Sequence, residues 1–72
     1  MKEKITSVLA KVLKIEVTNS ISTDNCGEWD SLNHLHIIIE LETEFDISFE
    51  PDEIAQMKSI EAIERIVNEK IN

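Results

Sequence analysis

The chain of 72 residues holds one cysteine, one glycine, one proline and no tyrosine, and its 15 acidic residues outnumber its 7 basic ones. Each shortage excludes something. A lone Cys26 cannot close an intramolecular disulfide, so no covalent staple supports the fold, and the reducing cytoplasm is the expected location. With so little Gly and Pro and no Tyr, the turn and aromatic signature of an all-β domain is missing, and helices are the default. Lys and Arg are too few for the phosphate contacts of a nucleic-acid binder, or for attraction to an anionic membrane surface. No apolar run is long enough to span a bilayer, and Met1-Lys2-Glu3-Lys4 does not open a signal peptide. The length itself allows a single domain over residues 1–72, in which folding buries only about 60% of the exposed surface. A deep substrate pocket ringed by catalytic groups does not fit in it.

What is present is a hydrophobic content of 42% and a formal charge of −8, a mixture that folds and stays acidic on its surface. The charge is unevenly spread. Residues 1–14 carry four lysines against Glu3, a local +3, whereas residues 15–72 carry three basic and fourteen acidic groups, or −11. Seven acids and no base lie between Glu40 and Glu53. Such a run is either a plain solvated surface or a field that steers basic partners.

Hydrophobic spacing divides the chain. Ile5, Val8, Leu9, Val12 and Leu13 share one helical face, with the lysines largely opposite. From Lys14 to Trp29 the period fails in favour of polar loop residues, broken by Ile15, Val17 and Ile21, which are expected to plug the core. A loop this long in so short a chain is often functional. The second helix is expected from Ser31 to Phe45, with Asp30 as its N-cap. Ile47 and Phe49 then alternate with Asp46 and Ser48 in a short extended stretch. Pro51 near a first helical position predicts a short third helix, Asp52 to Met57, anchored by Ile54 and Met57. Ser59 caps a fourth, in which Ile60, Ile63, Ile66 and Val67 share a face. The fold class is all-α: a small four-helix bundle with a long loop between helices 1 and 2 and a short third helix.

The second helix has one apolar arc too many. At about 100° per residue, Ile37, Ile38, Leu41 and Phe45 fall in one group and Leu32, Leu35 and Ile39 in another. Glu42 divides them on one side; Asn33, His36, Glu40 and Thr43 divide them on the other. Either the helix is central and packed on both sides, or one stripe is an exposed docking surface; periodicity does not choose. Ser31 opens the same helix. It is an ordinary first-turn serine, or a hydroxyl whose phosphate would lie beside unpaired N–H groups at the positive end of the helix dipole.

Other chemistries find little support. His34 and His36 point to different faces, and with one cysteine elsewhere they form no convergent zinc set. His34 falls near the core arc as an edge histidine, and His36 on the exposed side. Ser31 with His34 lacks the orienting acid and oxyanion hole of a hydrolase. Acids near Cys26 raise rather than lower a thiol pKa, so that cysteine reads as inert. No EF-hand spacing occurs. Trp29 is best explained as packing the long loop onto the bundle.

Asp30-Ser31-Leu32 opening an acidic helix, followed by Glu42-Thr43-Glu44-Phe45-Asp46-Ile47, Pro51-Asp52-Glu53 and Ser59-Ile60-Glu61-Ala62-Ile63, resembles the acyl carrier protein family over nearly the whole chain. The resemblance implies a non-enzymatic carrier in which Ser31 receives phosphopantetheine from coenzyme A, with Asp30 helping to position the serine and Mg²⁺ in the phosphopantetheinyl transferase. The arm's thiol would hold acyl or aminoacyl groups as thioesters and present them to partner enzymes. Ile37, Ile38, Leu41 and Phe45 would face the core, where a chain on the arm can also insert. Leu32, Leu35, His36, Ile39 and Glu42 would form the docking face for loading ligases and acyl-transfer enzymes with basic patches, and the protein would act as a monomer. The chain departs from the common fatty-acid pattern: Trp29 replaces a small residue before Asp-Ser-Leu, and Asn33 and His36 replace acids. Trp-Asp-Ser-Leu is closer to specialised carriers, including peptidyl carriers and stand-alone carriers of dedicated ligases. The alternative from another class is an unmodified acidic helical interaction module docking through helix 2.

Overall fold

The computed structural model describes residues 2–18 and 20–71. Among them four helices follow in order, α1 (Lys2–Leu13), α2 (Ser31–Phe45), α3 (Pro51–Gln56) and α4 (Ile60–Ile71). The described residues form no strand, only an isolated antiparallel bridge between Ser22 and Ser59. Three of the four helices bury the apolar face that their spacing predicts; α3 buries none of its residues fully, and Ile54 is half-buried there. Ile5, Val8, Leu9 and Leu13 are buried on α1, Ile37, Ile38 and Leu41 on α2, and Ile60, Ile63, Ile66 and Val67 on α4. These faces meet in one hydrophobic core. Val12 and Phe45 sit only at its margin, half-buried, and the Lys4 ammonium lies 6.0 Å from the Phe45 ring centroid.

The helix boundaries have local causes. Asp30 caps α2, and Asp46 ends it in the left-handed region (φ 54°), a conformation that Asp tolerates better than most residues. The Asp46 and Ile47 amides both donate to the Glu42 carbonyl. Pro51 begins α3, whose bounds lie one residue earlier than the spacing suggested. Met57 falls outside it because its N–H reaches back three residues to the Ile54 carbonyl, which swings its fully buried side chain into the core. At the start of α4, the Ser59 hydroxyl accepts the Ala62 amide.

The long loop, residues 14–30, is tied down by its own polar chemistry. Asn25 accepts the Ser22 amide through Oδ1 and donates to the Ser20 carbonyl through Nδ2. The Thr23 amide donates to the Lys58 carbonyl at 2.9 Å, holding the loop against the start of α4. Ile21, Cys26 and Trp29 are buried in the core, whereas Ile15 and Val17 pack half-buried against it. Opposite the loop, Lys70 pairs with Glu53 at 2.9 Å and lies over the Phe49 ring, fastening α4 to α3.

Candidate functional site

The start of α2 is held from the loop side. Asp30, in extended conformation, accepts the Asn33 amide on Oδ1 at 2.9 Å and the His34 amide on its carbonyl at 2.8 Å. The Asn33 side chain reaches back to the Glu28 carbonyl at 2.8 Å, so loop and helix form one rigid corner. The Ser31 and Leu32 amides have no acceptor among the described residues, and the exposed Ser31 hydroxyl has no hydrogen bond there either. The first turn contains no acid. An accessible hydroxyl thus stands at the positive end of a fifteen-residue helix with two free N–H groups beside it, which is suited to a phosphoryl group on its oxygen.

Beside Ser31 runs an open groove of about 710 Å³, lined mainly by Trp29, His34, Leu35, Pro51, Ile54 and Ala55, with Asp30 and Ser31 along it. Its size lies in the range of small-molecule sites, and its walls are mostly apolar. Trp29 is 4% exposed, and its indole N–H donates to His34 Nδ1 at 3.0 Å with the rings stacked at 28°. Because Nδ1 is thereby an acceptor, the neutral imidazole carries its proton on Nε2, which donates to the Ile54 carbonyl at 2.8 Å. His34 therefore bridges the loop, α2 and α3.

The second apolar arc of α2 is exposed. Leu32, Leu35 and Ile39 are 63%, 53% and 58% accessible, a row of large apolar side chains starting next to Ser31. His36 is exposed next to it and lines a smaller groove with Lys11, Val12, Ile39 and Glu40. Glu42, expected beside the docking face, is half-buried, and its carboxylate accepts the Phe49 amide at 3.0 Å in the loop after α2. The other acids of α2 are also engaged, Glu40 with Lys11 at 3.0 Å and Glu44 with Lys4 at 3.9 Å. Sequence reading missed the corner-forming Asn33 and the Trp29–His34–Ile54 chain. The i, i+5 spacing of Trp29 and His34 was the only local hint of it.

No group of three or more His, Cys, Asp or Glu side chains converges on a metal site among the described residues. The start of α2 offers an accessible serine hydroxyl beside an apolar groove. The comparisons with known proteins agree. The family described as "Phosphopantetheine attachment site" matches residues 3–67, and the chain belongs to it. The chain is also similar to the solution NMR structure of the holo acyl carrier protein from Geobacter metallireducens, with a TM-score of 0.83 and 26% sequence identity, over 97% of this chain and 84% of that one. No curated protein matches. The chain is a phosphopantetheine-bearing carrier and not a catalyst. The group supplies a thiol for thioester chemistry when attached, and the free hydroxyl, free amides and neighbouring groove at Ser31 fit it.

Proposed function

We propose that Ser31 is the attachment hydroxyl and that residues 1–72 act as one carrier domain, presenting acyl or aminoacyl thioesters to partner enzymes. The observation that carries this is the unbonded Ser31 hydroxyl at the capped start of α2, on the edge of an apolar groove. Asp30 has two tasks in this reading: it caps the helix and, in the transferase complex, helps orient the serine and Mg²⁺. Leu32, Leu35 and Ile39, with His36 alongside, dock the transferase and the loading and acyl-transfer enzymes by apolar contact. Basic groups on a partner meet the exposed loop acids Asp24 and Glu28. The departure of Trp29, Asn33 and His36 from the fatty-acid pattern favours a specialised pathway with its own ligase. A monomer in the reducing cytoplasm accords with the small size and the unpaired, buried Cys26.

The test is intact mass before and after incubation with coenzyme A, Mg²⁺ and a broad-specificity phosphopantetheinyl transferase. The wild type gains one phosphopantetheine, and Ser31→Ala gains none while keeping its helical circular dichroism. Labelling that persists in Ser31→Ala overturns the site. No labelling of the wild type, with a control carrier labelled in parallel, returns the chain to the role of an unmodified docking module.

A further inference from the structure

An arm attached at Ser31 has two places to put its cargo: the groove outside the bundle or the interior between α2 and α3. His34 stands between them. It lies three residues after Ser31 on the same helical face, and its imidazole is fixed at both ends, by the Trp29 indole on one side and the Ile54 carbonyl on the other. Trp29 belongs to the groove lining and to the core at once, so it is a wall shared by both. The groove lining includes Trp29, His34 and Ile54 but none of Ile37, Leu41 or Ile63, which are fully buried in the core. Opening the seam would leave the indole N–H of the buried Trp29 and a peptide carbonyl without partners, a loss that an apolar chain cannot repair because it has no hydrogen bonds to give.

We propose that the Trp29–His34–Ile54 chain bolts the seam between α2 and α3, so that cargo on the arm stays in the outer groove and the carrier selects short acyl or aminoacyl groups over long saturated ones. The proposal rests on the carrier reading at Ser31. A long chain finds no apolar interior to enter; its distal methylenes remain in water once the groove wall of Leu35, Pro51, Ile54 and Ala55 is covered. Trp29 and His34 are then specificity-determining residues of the carrier. They act through the path they close and need no contact with a partner enzyme.

The experiment loads the full chain enzymatically with acetyl- and octanoyl-phosphopantetheine from the matching coenzyme A thioesters and confirms each product by intact mass. It then compares melting temperatures and the methyl NMR signals of Ile37, Leu41 and Ile63. In the wild type the two forms melt together, the core methyls do not move, and contacts from the octanoyl chain appear only at Leu35, Pro51, Ile54 and Ala55. In His34→Ala, and more weakly in Trp29→Phe, which keeps an aromatic wall but loses the indole N–H, the octanoyl form melts above the acetyl form and the core methyls shift. Core shifts or chain-length-dependent melting in the wild type overturn the bolt. So does a folded His34→Ala whose octanoyl and acetyl forms remain indistinguishable. A wild type that gains no mass fails the carrier reading itself, and the bolt falls with it.

Discussion

The two halves of α2 are built on opposite plans. Its N-terminal half leaves Leu32, Leu35, Ile39 and the Ser31 hydroxyl open to solvent on one side, while Asp30, Asn33 and His34 fasten it by hydrogen bonds on the other. Its C-terminal half exposes no large apolar side chain: Leu41 is fully buried, Glu42 gathers three amides through its carbonyl and carboxylate, and the exposed Glu44 lies near Lys4. One helix thus serves as anchor at one end and as presentation surface at the other. A rigid anchored half gives the open half a fixed orientation without any contact that would cover it.

The sharpest way to break this contrast is to truncate a leucine on each plan. Leu41→Ala empties a fully enclosed site, so it costs about 2–5 kcal/mol in denaturant unfolding. Leu35→Ala changes stability by no more than about 0.5 kcal/mol, yet slows modification by the transferase. Equal losses would mean that the exposed stripe is structural. Next comes Glu42→Ala, which strips the Phe49 amide of its charged acceptor and lowers stability by about 1–3 kcal/mol. Glu42→Gln keeps an acceptor and loses less. A Glu42→Ala variant as stable as the wild type, but weakened in partner binding, would return Glu42 to the docking face.

At the open end, Asp30→Ala removes the N-cap and costs about 1 kcal/mol, while Asp30→Asn recovers most of it. The smallest expected effect lies in the acid limb of the stability profile. The Glu50 amide, and after it the Lys70 ammonium, hold the Glu53 carboxyl below its ordinary value. A carboxylate with a depressed folded-state pKa contributes stability above its unfolded-state value, and that contribution disappears as the pH falls through the folded-state value. Urea unfolding in the acid range should therefore show a shallower pH slope for Glu53→Gln than for the wild type. Identical slopes would remove Glu53 from the account.

Much of this arrangement was legible in the residues alone, and the rest shows what periodicity omits. The bounds of α2, its Asp30 cap, the Ser59 cap and the two apolar arcs all follow from local rules, since each depends on neighbours within one or two turns. Periodicity does not decide which arc is exposed; packing does, since α1 lies against α2 and Ile37, Ile38 and Leu41 enter the core. The bond from the Phe49 amide to Glu42 could not be read from the helical wheel, which says nothing about an amide seven residues later, across a chain reversal. The link from His34 to Ile54 spans twenty residues and joins a ring nitrogen to a main-chain carbonyl. No side-chain pattern marks a carbonyl as a partner.

Trp29 has a last consequence. It is the chain's single tryptophan, and there is no tyrosine to compete with it. The indole is stacked on an imidazole, hydrogen-bonded through its N–H, and set in the groove wall beside Ser31. The intrinsic tryptophan emission of the protein therefore comes from one address, the groove wall beside Ser31. An arm or cargo entering the groove, or a break in the bond to His34, changes the surroundings of that one ring. The carrier contains a built-in optical probe that follows loading and delivery in real time, with no dye added to the surface that partner enzymes must read.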